Sequence, residues 1–273
     1  MATIDAAGIT LAYEDTGGDG RPVVLIHGWP LSGASWSGQV PALTEAGYRV
    51  ITYDRRGFGA SSKPDDGYDY DTFAADLAAL LDSLDLTDAT LVGFSMGGGE
   101  VARYLGRHGS ERIRSAVFAG AVPPYLLITD DNPDGGLQDS DVQEMIDGIA
   151  EDREGFLNDF SVTFFSADDE LKVSDDQRKQ AFALSAPASD AAIQGCIDAF
   201  GRTDFRTDLE RIDVPALVIH GDADAIVPFE VSGKRTAELV DDAELQVIDG
   251  GPHGFTVSHA DEFNAALVDF LAR

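Results

Sequence analysis

One stretch of sequence, Ala89 to His108, decides the fold, and it reads ATLVGFSMGGGEVARYLGRH. An apolar run ends at Gly93, and a helical pattern begins at Gly97. Between these points the chain matches G-x-S-x-G, in which a serine lies on a sharp strand-to-helix turn. Glycine is favoured on both sides of the serine because a Cβ atom there would clash in so tight a turn. The pattern therefore predicts that Ser95 is a nucleophile at the N-terminus of a helix.

Short apolar runs alternate with helical segments on both sides of this turn. This alternation is typical of a mostly parallel sheet with helices on both faces. We predict strands at Ile9–Tyr13, Pro22–Ile26, Arg49–Tyr53, Ala89–Gly93, Ile113–Ala119, Ala216–His220 and Glu244–Ile248. The apolar spacing predicts helices at Tyr70–Leu84, Gly97–His108 and Ala260–Leu271.

The alternation breaks between about Val122 and Arg211. Helical pieces are predicted there at Asp141–Ala150 and Arg153–Thr163, together with a concentration of phenylalanines at 156, 160, 164, 165, 182 and 200. We predict a helical cap at 123–211, inserted in a core domain made of 1–122 and 212–273. Most of these phenylalanines should form the core of the cap, and a minority should line a pocket between the cap and the sheet.

The bulk composition is strongly acidic, with 49 acidic residues against 19 basic ones and a net charge of −30. The electrostatic field of this negative charge repels phosphates, so neither nucleic acid nor an anionic membrane is expected as a partner. Acidic pairs such as Asp65-Asp66 and Asp241-Asp242 are spread along the whole chain and indicate a solvated surface. Two explanations stay open, namely the codon bias of a high-GC organism and an adaptation to high salt.

Other features of the sequence indicate a cytoplasmic enzyme without a cofactor. The single cysteine, Cys196, cannot form an intrachain disulfide, and the N-terminus carries no secretory pattern. The apolar runs are too short to span a bilayer. We find no metal-ligand spacing and no phosphate-binding glycine motif, so no metal and no cofactor are expected.

A serine hydroxyl needs a base, and the chain order Ser, then Asp or Glu, then His guides the choice. His27 precedes the serine, His108 ends the following helix, and His220 precedes an acidic loop. His253 lies in a glycine-rich loop directly after the strand Glu244–Ile248, at the edge of the sheet where ligands gather. We predict His253 as the base, whereas His259 begins the terminal helix and should cap or pack.

Two acids and two backbone amides complete the predicted site. Asp222 and Asp224 both follow the strand Ala216–His220, so either carboxylate could orient the histidine. The oxyanion donors are expected to be the N–H groups of Trp29, after the strand Pro22–Ile26, and of Met96. Pro30 stiffens the Trp29 loop because its φ is fixed. The charged, glycine-rich stretch at 54–62 is interpreted as scaffold.

Four segments of the chain resemble the cofactor-free bacterial haloperoxidases and the related aryl esterases of the α/β-hydrolase superfamily. The segments are His27–Trp36, Gly93–Tyr104, His220–Pro228 and Gly251–Gly254. The resemblance implies an α/β-hydrolase fold with a mostly parallel eight-stranded sheet. It also implies a triad of Ser95, Asp224 and His253, and so selects Asp224 over Asp222.

The resemblance further implies an activity on carboxylic esters and acids. In this family the acylated serine is attacked by water or by hydrogen peroxide, and the peracid formed with peroxide oxidises halide. Pro30 is similar to the perhydrolase-competent members, in which a loop carbonyl holds the peroxide. We expect Pro30, Phe94, Val122 and Ile226 to line the substrate and peroxide pocket. Homo-oligomers are also implied. A lactonase or C–C bond hydrolase is the alternative, followed by a ligand receptor with slow turnover.

Overall fold

The apolar runs form one eight-stranded sheet in the computed structural model, which describes residues 1–6 and 8–273. The strands are β1 (Ala2–Ala6), β2 (Ile9–Asp15), β3 (Pro22–Ile26), β4 (Arg49–Tyr53), β5 (Ala89–Phe94), β6 (Ile113–Ala119), β7 (Ser166–Ala167), β8 (Glu170–Leu171), β9 (Ala216–Gly221) and β10 (Glu244–Ile248). Their order in the sheet is β1-β2-β4-β3-β5-β6-β9-β10, while β7 and β8 pair separately. The predicted eight-stranded, mostly parallel α/β-hydrolase sheet is confirmed.

All strand pairs from β4 to β10 in this order are parallel, and only the pairs β1–β2 and β2–β4 are antiparallel. All seven individually predicted strands are present, within one or two residues of their expected ends. Strand β1 was missed because it lies at the edge of the sheet and is largely exposed. An exposed edge strand carries little of the apolar signal on which the prediction depended.

Eleven helices are present in the part of the chain that the structure describes. They are α1 (Val40–Glu45), α2 (Tyr70–Ser83), α3 (Met96–His108), α4 (Asp139–Glu151), α5 (Arg153–Phe165), α6 (Asp175–Ala183), α7 (Asp190–Arg202), α8 (Arg206–Leu209), α9 (Gly233–Leu239), α10 (Phe255–Ser258) and α11 (Ala260–Leu271), and two 3₁₀ helices span Gly33–Gly38 and Phe229–Val231. No described helix has both the length and the apolar composition to cross a membrane.

Between β6 and β9 the chain forms α4 to α8 and the β7–β8 hairpin, and we refer to this segment as the helical insert. The predicted helices at 141–150 and 153–163 lie within α4 and α5. Helices α6 and α7 were not predicted, although Ser174 and Ser189 cap their N-termini by accepting the N–H of Gln177 and Ala192. These serines are the start signals from which both helices could have been found.

The sheet separates two layers of apolar side chains, which explains why its central strands are continuous apolar runs. On one face α2 and α3 pack with part of the helical insert, and on the other face α11 packs with Trp36 and Phe255. Phe164 and Phe165 of α5 join the second layer. The layers bury the sheet but leave the carboxyl ends of β5, β9 and β10 free to carry loops, where ligands of such sheets bind.

Candidate active site

Ser95 links β5 to α3 in a strained backbone conformation, with φ of 54° and ψ of −120°. Such a conformation persists in a non-glycine residue only where its surroundings enforce it. The flanking glycines provide this enforcement, because a Cβ on Gly97 would lie 2.4 Å from the carbonyl oxygen of Ile26. A Cβ on Gly93 would lie equally close, 2.4 Å, to the carbonyl oxygen of Gly97. The turn is therefore pressed against β3 and directs the Ser95 side chain away from the sheet.

Ser95, His253 and Asp224 lie in one hydrogen-bonded array. The Nε2 atom of His253 is 2.9 Å from the Oγ atom of Ser95, and its Nδ1 atom is 2.6 Å from Oδ2 of Asp224. All three side chains are buried. A carboxylate only accepts hydrogen bonds, so Nδ1 carries the hydrogen and Nε2 is free to receive the hydroxyl proton of Ser95. The array is thus in the tautomer that a general base requires.

The Asp224 carboxylate is held by four donors. Its Oδ1 atom accepts the N–H groups of Ile226, at 2.9 Å, and Val227, at 2.8 Å. Its Oδ2 atom faces His253 and also lies 3.3 Å from Nε2 of His220. Burial alone would raise the pKa of the Asp224 carboxyl, but the charge of His253 and the hydrogen bonds from His220 and His253 hold this pKa below its ordinary value. The carboxylate therefore stays ionised beside the imidazole.

The other candidate acid, Asp222, has a different role. Its Oδ1 atom accepts the backbone N–H of Gly250 at 2.7 Å. This bond connects the loop after β9 to the loop after β10, which contains His253. Asp222 therefore supports the backbone of the histidine loop, as expected of an aspartate in a turn.

The loop after β3, which contains Gly28, Trp29 and Pro30, lies against the Ser95 turn. A Cβ on Gly28 would come within 2.9 Å of the Ser95 Cβ, so only glycine allows this approach. The Trp29 indole donates a hydrogen bond of 3.1 Å to the carbonyl of Ile193 in α7. Met96 is the first residue of α3, where backbone N–H groups lack intrahelical partners. Met96 thus follows Ser95 directly, and the loop that contains Trp29 approaches Ser95 through Gly28.

The four expected pocket residues surround this array in different ways. Phe94 packs on the His253 ring, with 5.1 Å between the ring centroids. The Val122 N–H donates to the Ser95 carbonyl at 3.2 Å, and Ile226 holds Asp224 as described above. Pro30 follows Trp29 and is buried. Phe94, Val122 and Ile226 therefore contact the array, whereas Pro30 lies in the loop that approaches it through Gly28.

A cleft of about 250 Å³ lies between the core and the helical insert. No side chain of the array lines it, but Phe94 and Phe164, which pack on His253, do. Its apolar lining includes Leu31, Phe94 and Phe164, and its exposed rim carries Gln177 and Gln180. Phe164 also packs against the His253 ring, at 4.9 Å between ring centroids. Of the four expected pocket residues, only Phe94 lines this cleft.

Beneath the Ser95 turn lies a buried polar network that sequence reasoning missed. The Arg55 Nε atom donates to Oε2 of Glu100 at 2.8 Å, and its Nη2 atom donates to the carbonyl of His27, also at 2.8 Å. Tyr53 donates its hydroxyl hydrogen to Oε1 of Glu100. Burial raises the pKa of the Glu100 carboxyl, although Arg55 and Tyr53 oppose this shift. The only sequence signal was a charged residue, Glu100, in an otherwise apolar turn of α3.

His27 completes this network as a neutral ring. Its Nε2 atom accepts the Arg55 N–H at 3.0 Å, and its Nδ1 atom donates to the carbonyl of Gly28 at 2.9 Å. Burial, together with the charge of Arg55, holds the pKa of His27 well below its ordinary value of 6.5. The network therefore connects α3 to the residue that precedes the Trp29 loop. The predicted scaffold stretch at 54–62 contributes to it through Arg55.

The remaining histidines lie outside the array. His108 stacks on Tyr104 at the end of α3, with a centroid distance of 5.3 Å. His259 begins α11, and its Nδ1 atom lies 2.9 Å from the Ser258 hydroxyl. In residues 1–6 and 8–273 no cluster of three or more His, Cys, Asp or Glu side chains is arranged to hold a metal ion.

The geometry of the sheet and of the Ser95 turn agrees with the match to a protein-family model. The model is described as the alpha/beta hydrolase fold, and it matches residues 21–260. This chain is an α/β hydrolase. The family that the four segments of sequence indicated is thereby confirmed.

Known relatives of this α/β hydrolase cover almost its whole length. It is 47% identical over 269 residues to a non-heme chloroperoxidase of Kitasatospora aureofaciens, a match that covers 97% of this chain and 96% of the relative. It is 37% identical over 267 residues to a bifunctional esterase/perhydrolase of Acinetobacter calcoaceticus, with 97% and 96% covered. The crystal structure of a bromoperoxidase from Bacillus anthracis matches with a TM-score of 0.97 and 54% identity over 100% of this chain and 99% of that one.

Proposed function

We propose that this hydrolase cleaves carboxylic esters through an acyl-enzyme on Ser95, with His253 as general base and Asp224 as the residue that orients it. One observation carries the proposal, namely the hydrogen-bond chain of 2.9 Å and 2.6 Å that runs from the Ser95 hydroxyl through His253 to Asp224. A nucleophile, a base and an orienting acid within hydrogen-bond reach are the parts that nucleophilic acyl transfer needs.

In the proposed mechanism Ser95 attacks the ester carbonyl while His253 Nε2 takes the hydroxyl proton. The N–H groups of Trp29 and Met96 stabilise the tetrahedral oxyanion, and each such donor contributes about a hundredfold or more to the rate. Collapse of this intermediate breaks the bond to the alcohol, which leaves with the proton from His253. Water then attacks the acyl-enzyme with His253 as base, so that the acid is released and the Ser95 hydroxyl is restored.

We further propose that hydrogen peroxide competes with water in the second step. Its oxygen would form the new bond to the acyl carbon, releasing a peracid in place of the acid, and the peracid would oxidise bromide or chloride. The names of the relatives support this step, because they include a non-heme chloroperoxidase and a bifunctional esterase/perhydrolase. We also propose that Pro30, Phe94, Val122 and Ile226 line the substrate and peroxide pocket. Phe94 supports this by lining the cleft, and Val122 and Ile226 support it through their backbone bonds to Ser95 and Asp224.

The division into domains and the location in the cell are also proposals. We propose that 123–211 form a cap over a core of 1–122 and 212–273. The Trp29 indole bond to Ile193 and the packing of Phe164 on His253 support this, because both contacts join the helical insert to the active-site loops. The buried lone cysteine, Cys196, fits a reducing compartment such as the cytoplasm.

The serine assignment is tested with the variant Ser95→Ala and p-nitrophenyl acetate as substrate. We expect kcat/KM to fall by about a thousandfold or more, because nucleophile and base act as a unit. The exposed serine at the end of α2 provides a matched control, so Ser83→Ala should retain wild-type turnover. Wild-type turnover in Ser95→Ala would refute the mechanism, and turnover of lactones without turnover of simple esters would favour a lactonase.

The peroxide step is tested by bromination of monochlorodimedone in acetate, bromide and hydrogen peroxide. We expect bromination with the wild-type enzyme and none above background with Ser95→Ala, because the peracid must form on the serine. Ester hydrolysis without bromination would restrict the enzyme to water as acceptor. Equal bromination by both proteins would show that peroxide reacts elsewhere and would contradict the proposed route.

A further inference from the structure

A second histidine, His220, contacts the same carboxylate oxygen as His253. It is the fifth residue of β9, and its side chain is fully buried. Its Nε2 atom lies 2.8 Å from the carbonyl oxygen of Val227 and 3.3 Å from Oδ2 of Asp224. Since a carbonyl oxygen only accepts, Nε2 carries the hydrogen, and this hydrogen faces two acceptors at once.

These contacts form a closed ring around the acid. Val227 accepts from His220 through its carbonyl and donates its N–H to Oδ1 of Asp224 at 2.8 Å. His220 approaches the second carboxylate oxygen, Oδ2, which His253 also contacts. The carboxylate is therefore fixed at both oxygens, and its rotation would break a bond to either Val227 or His220.

The other nitrogen of His220 indicates that simple packing does not explain this residue. Nδ1 has no hydrogen-bond partner among the residues that the structure describes. A Cβ on Gly233 would lie 2.4 Å from Nδ1, so the start of α9 seals this side of the ring. A buried acceptor without a donor lowers the stability of the folded state, and an apolar side chain would avoid this loss. Any stabilisation that favours histidine at position 220 must therefore come from the hydrogen bonds of Nε2.

We propose that His220 is a positioning residue that shares its Nε2 hydrogen between Val227 and Asp224 and so directs Oδ2 of Asp224 at His253. This role rests on the proposed function, because it acts through the proposed general base. The hydrogen also offsets part of the negative charge on Oδ2. Without it, Asp224 would be less well oriented toward His253.

The variants His220→Phe and His220→Gln separate this role from packing. The phenyl ring fills the space without a donor, while the glutamine amide can place an N–H near the position of Nε2. We expect His220→Phe to lower kcat about tenfold with KM unchanged, because the lost orientation acts only on the chemical step. The NMR signal of the His253 Nδ1 hydrogen, which lies in the bond to Asp224, should also move. His220→Gln should recover most of both effects.

Proton–nitrogen NMR of histidine-labelled protein provides the readout that does not need turnover. In the wild-type protein His220 should carry its hydrogen on Nε2, and the signal of the His253 Nδ1 hydrogen should move in His220→Phe. A hydrogen on Nδ1 of His220 would overturn the proposal, even if His220→Phe failed to fold. Lower stability with unchanged kcat and an unchanged signal of the His253 Nδ1 hydrogen would also overturn it. Absence of ester turnover in the wild-type protein would contradict the proposed function, and the two NMR signals would still decide the role of His220.

Discussion

Arg55→Met breaks a buried ion pair outside the Ser95 array and should lower the stability of the fold strongly. Arg55 and Glu100 are both almost completely buried, with side-chain exposures of 1% and 0%. Removing one partner of a buried ion pair typically costs about 3–5 kcal/mol, because the other charge stays buried without its counterion. Tyr53 remains as a hydrogen-bond donor to Glu100. We therefore expect Arg55→Met to lower the free energy of unfolding by about 3 kcal/mol. This is a large part of the 5–15 kcal/mol by which typical proteins are stable.

The dependence on pH distinguishes this explanation from a simple loss of packing. In Arg55→Met the pKa of Glu100 should rise further, so that the folded protein binds a proton that the unfolded protein releases. Stability should then fall as pH rises from about 5 to 8. Glu100→Gln should cost at least as much at every pH, because the Arg55 guanidinium cannot lose its charge. The double variant should recover part of the loss and show no such pH dependence.

Urea unfolding, followed by tryptophan fluorescence at pH 5 and pH 8, measures all three variants. Lys234→Met is a matched control, because its ion pair with Glu230 is exposed and should contribute nothing measurable. A cost below about 1 kcal/mol for Arg55→Met, equal at both pH values, would refute the reasoning. The three variants of the buried pair, but not Lys234→Met, should also lower kcat, since Arg55 holds the His27 carbonyl just before the Trp29 loop.

Three further predictions follow from the same structure. Gly97→Ala should lower kcat/KM for p-nitrophenyl acetate about a hundredfold, because its Cβ would collide with the Ile26 carbonyl and displace the Ser95 turn. Gly38→Ala, with no neighbour within 4 Å, should leave kcat/KM unchanged, and equal kinetics in both variants would contradict the steric argument. The pKa values of His27 and Asp224 are depressed in the folded protein, so both residues bind protons more readily in the unfolded chain. Their contribution to stability is therefore fully present above about pH 6.5 and is lost as pH decreases. In His27→Asn the free energy of unfolding should depend less steeply on pH, by up to about 1.4 kcal/mol per pH unit between pH 6.5 and 5.5. Urea unfolding measures this slope, and an unchanged slope would show that His27 does not contribute. If the acidity is an adaptation to salt, the Tm should rise by several degrees between 0.1 M and 1 M KCl, because the Debye length shortens from about 10 Å to about 3 Å. No gain in Tm would favour codon bias as the origin of the net charge of −30.

Local patterns predicted much of the sheet and the positions of two of the three residues of the array. The G-x-S-x-G turn identified Ser95, the chain order identified His253, and the apolar runs located seven of the eight strands of the sheet. The choice between Asp222 and Asp224 depended on the resemblance, because both residues follow the same strand. Distance separates them in the structure, where Asp224 lies 2.6 Å from His253 and Asp222 binds Gly250 instead.

The features that sequence reasoning missed depend on contacts between distant parts of the chain. Arg55 and Glu100 are 45 positions apart, and neither lies in a pattern that predicts an ion pair. Strand β1 gave no apolar signal because it lies exposed at the edge of the sheet. His220 was set aside for its place in the chain order, although its ring reaches Asp224 only four residues later.

The sequence by itself determined the alternation of strands and helices, the strained serine turn and the order of the reactive residues. These features follow from side-chain periodicity and from the steric freedom of glycine, both of which act over a few neighbouring residues. Only the tertiary structure showed how closely Asp224 approaches His253, that His220 contacts the same oxygen, and that Arg55 and Glu100 form a buried pair beneath Ser95. Those features depend on distance and burial, which the fold creates when it brings residues far apart in the chain into contact.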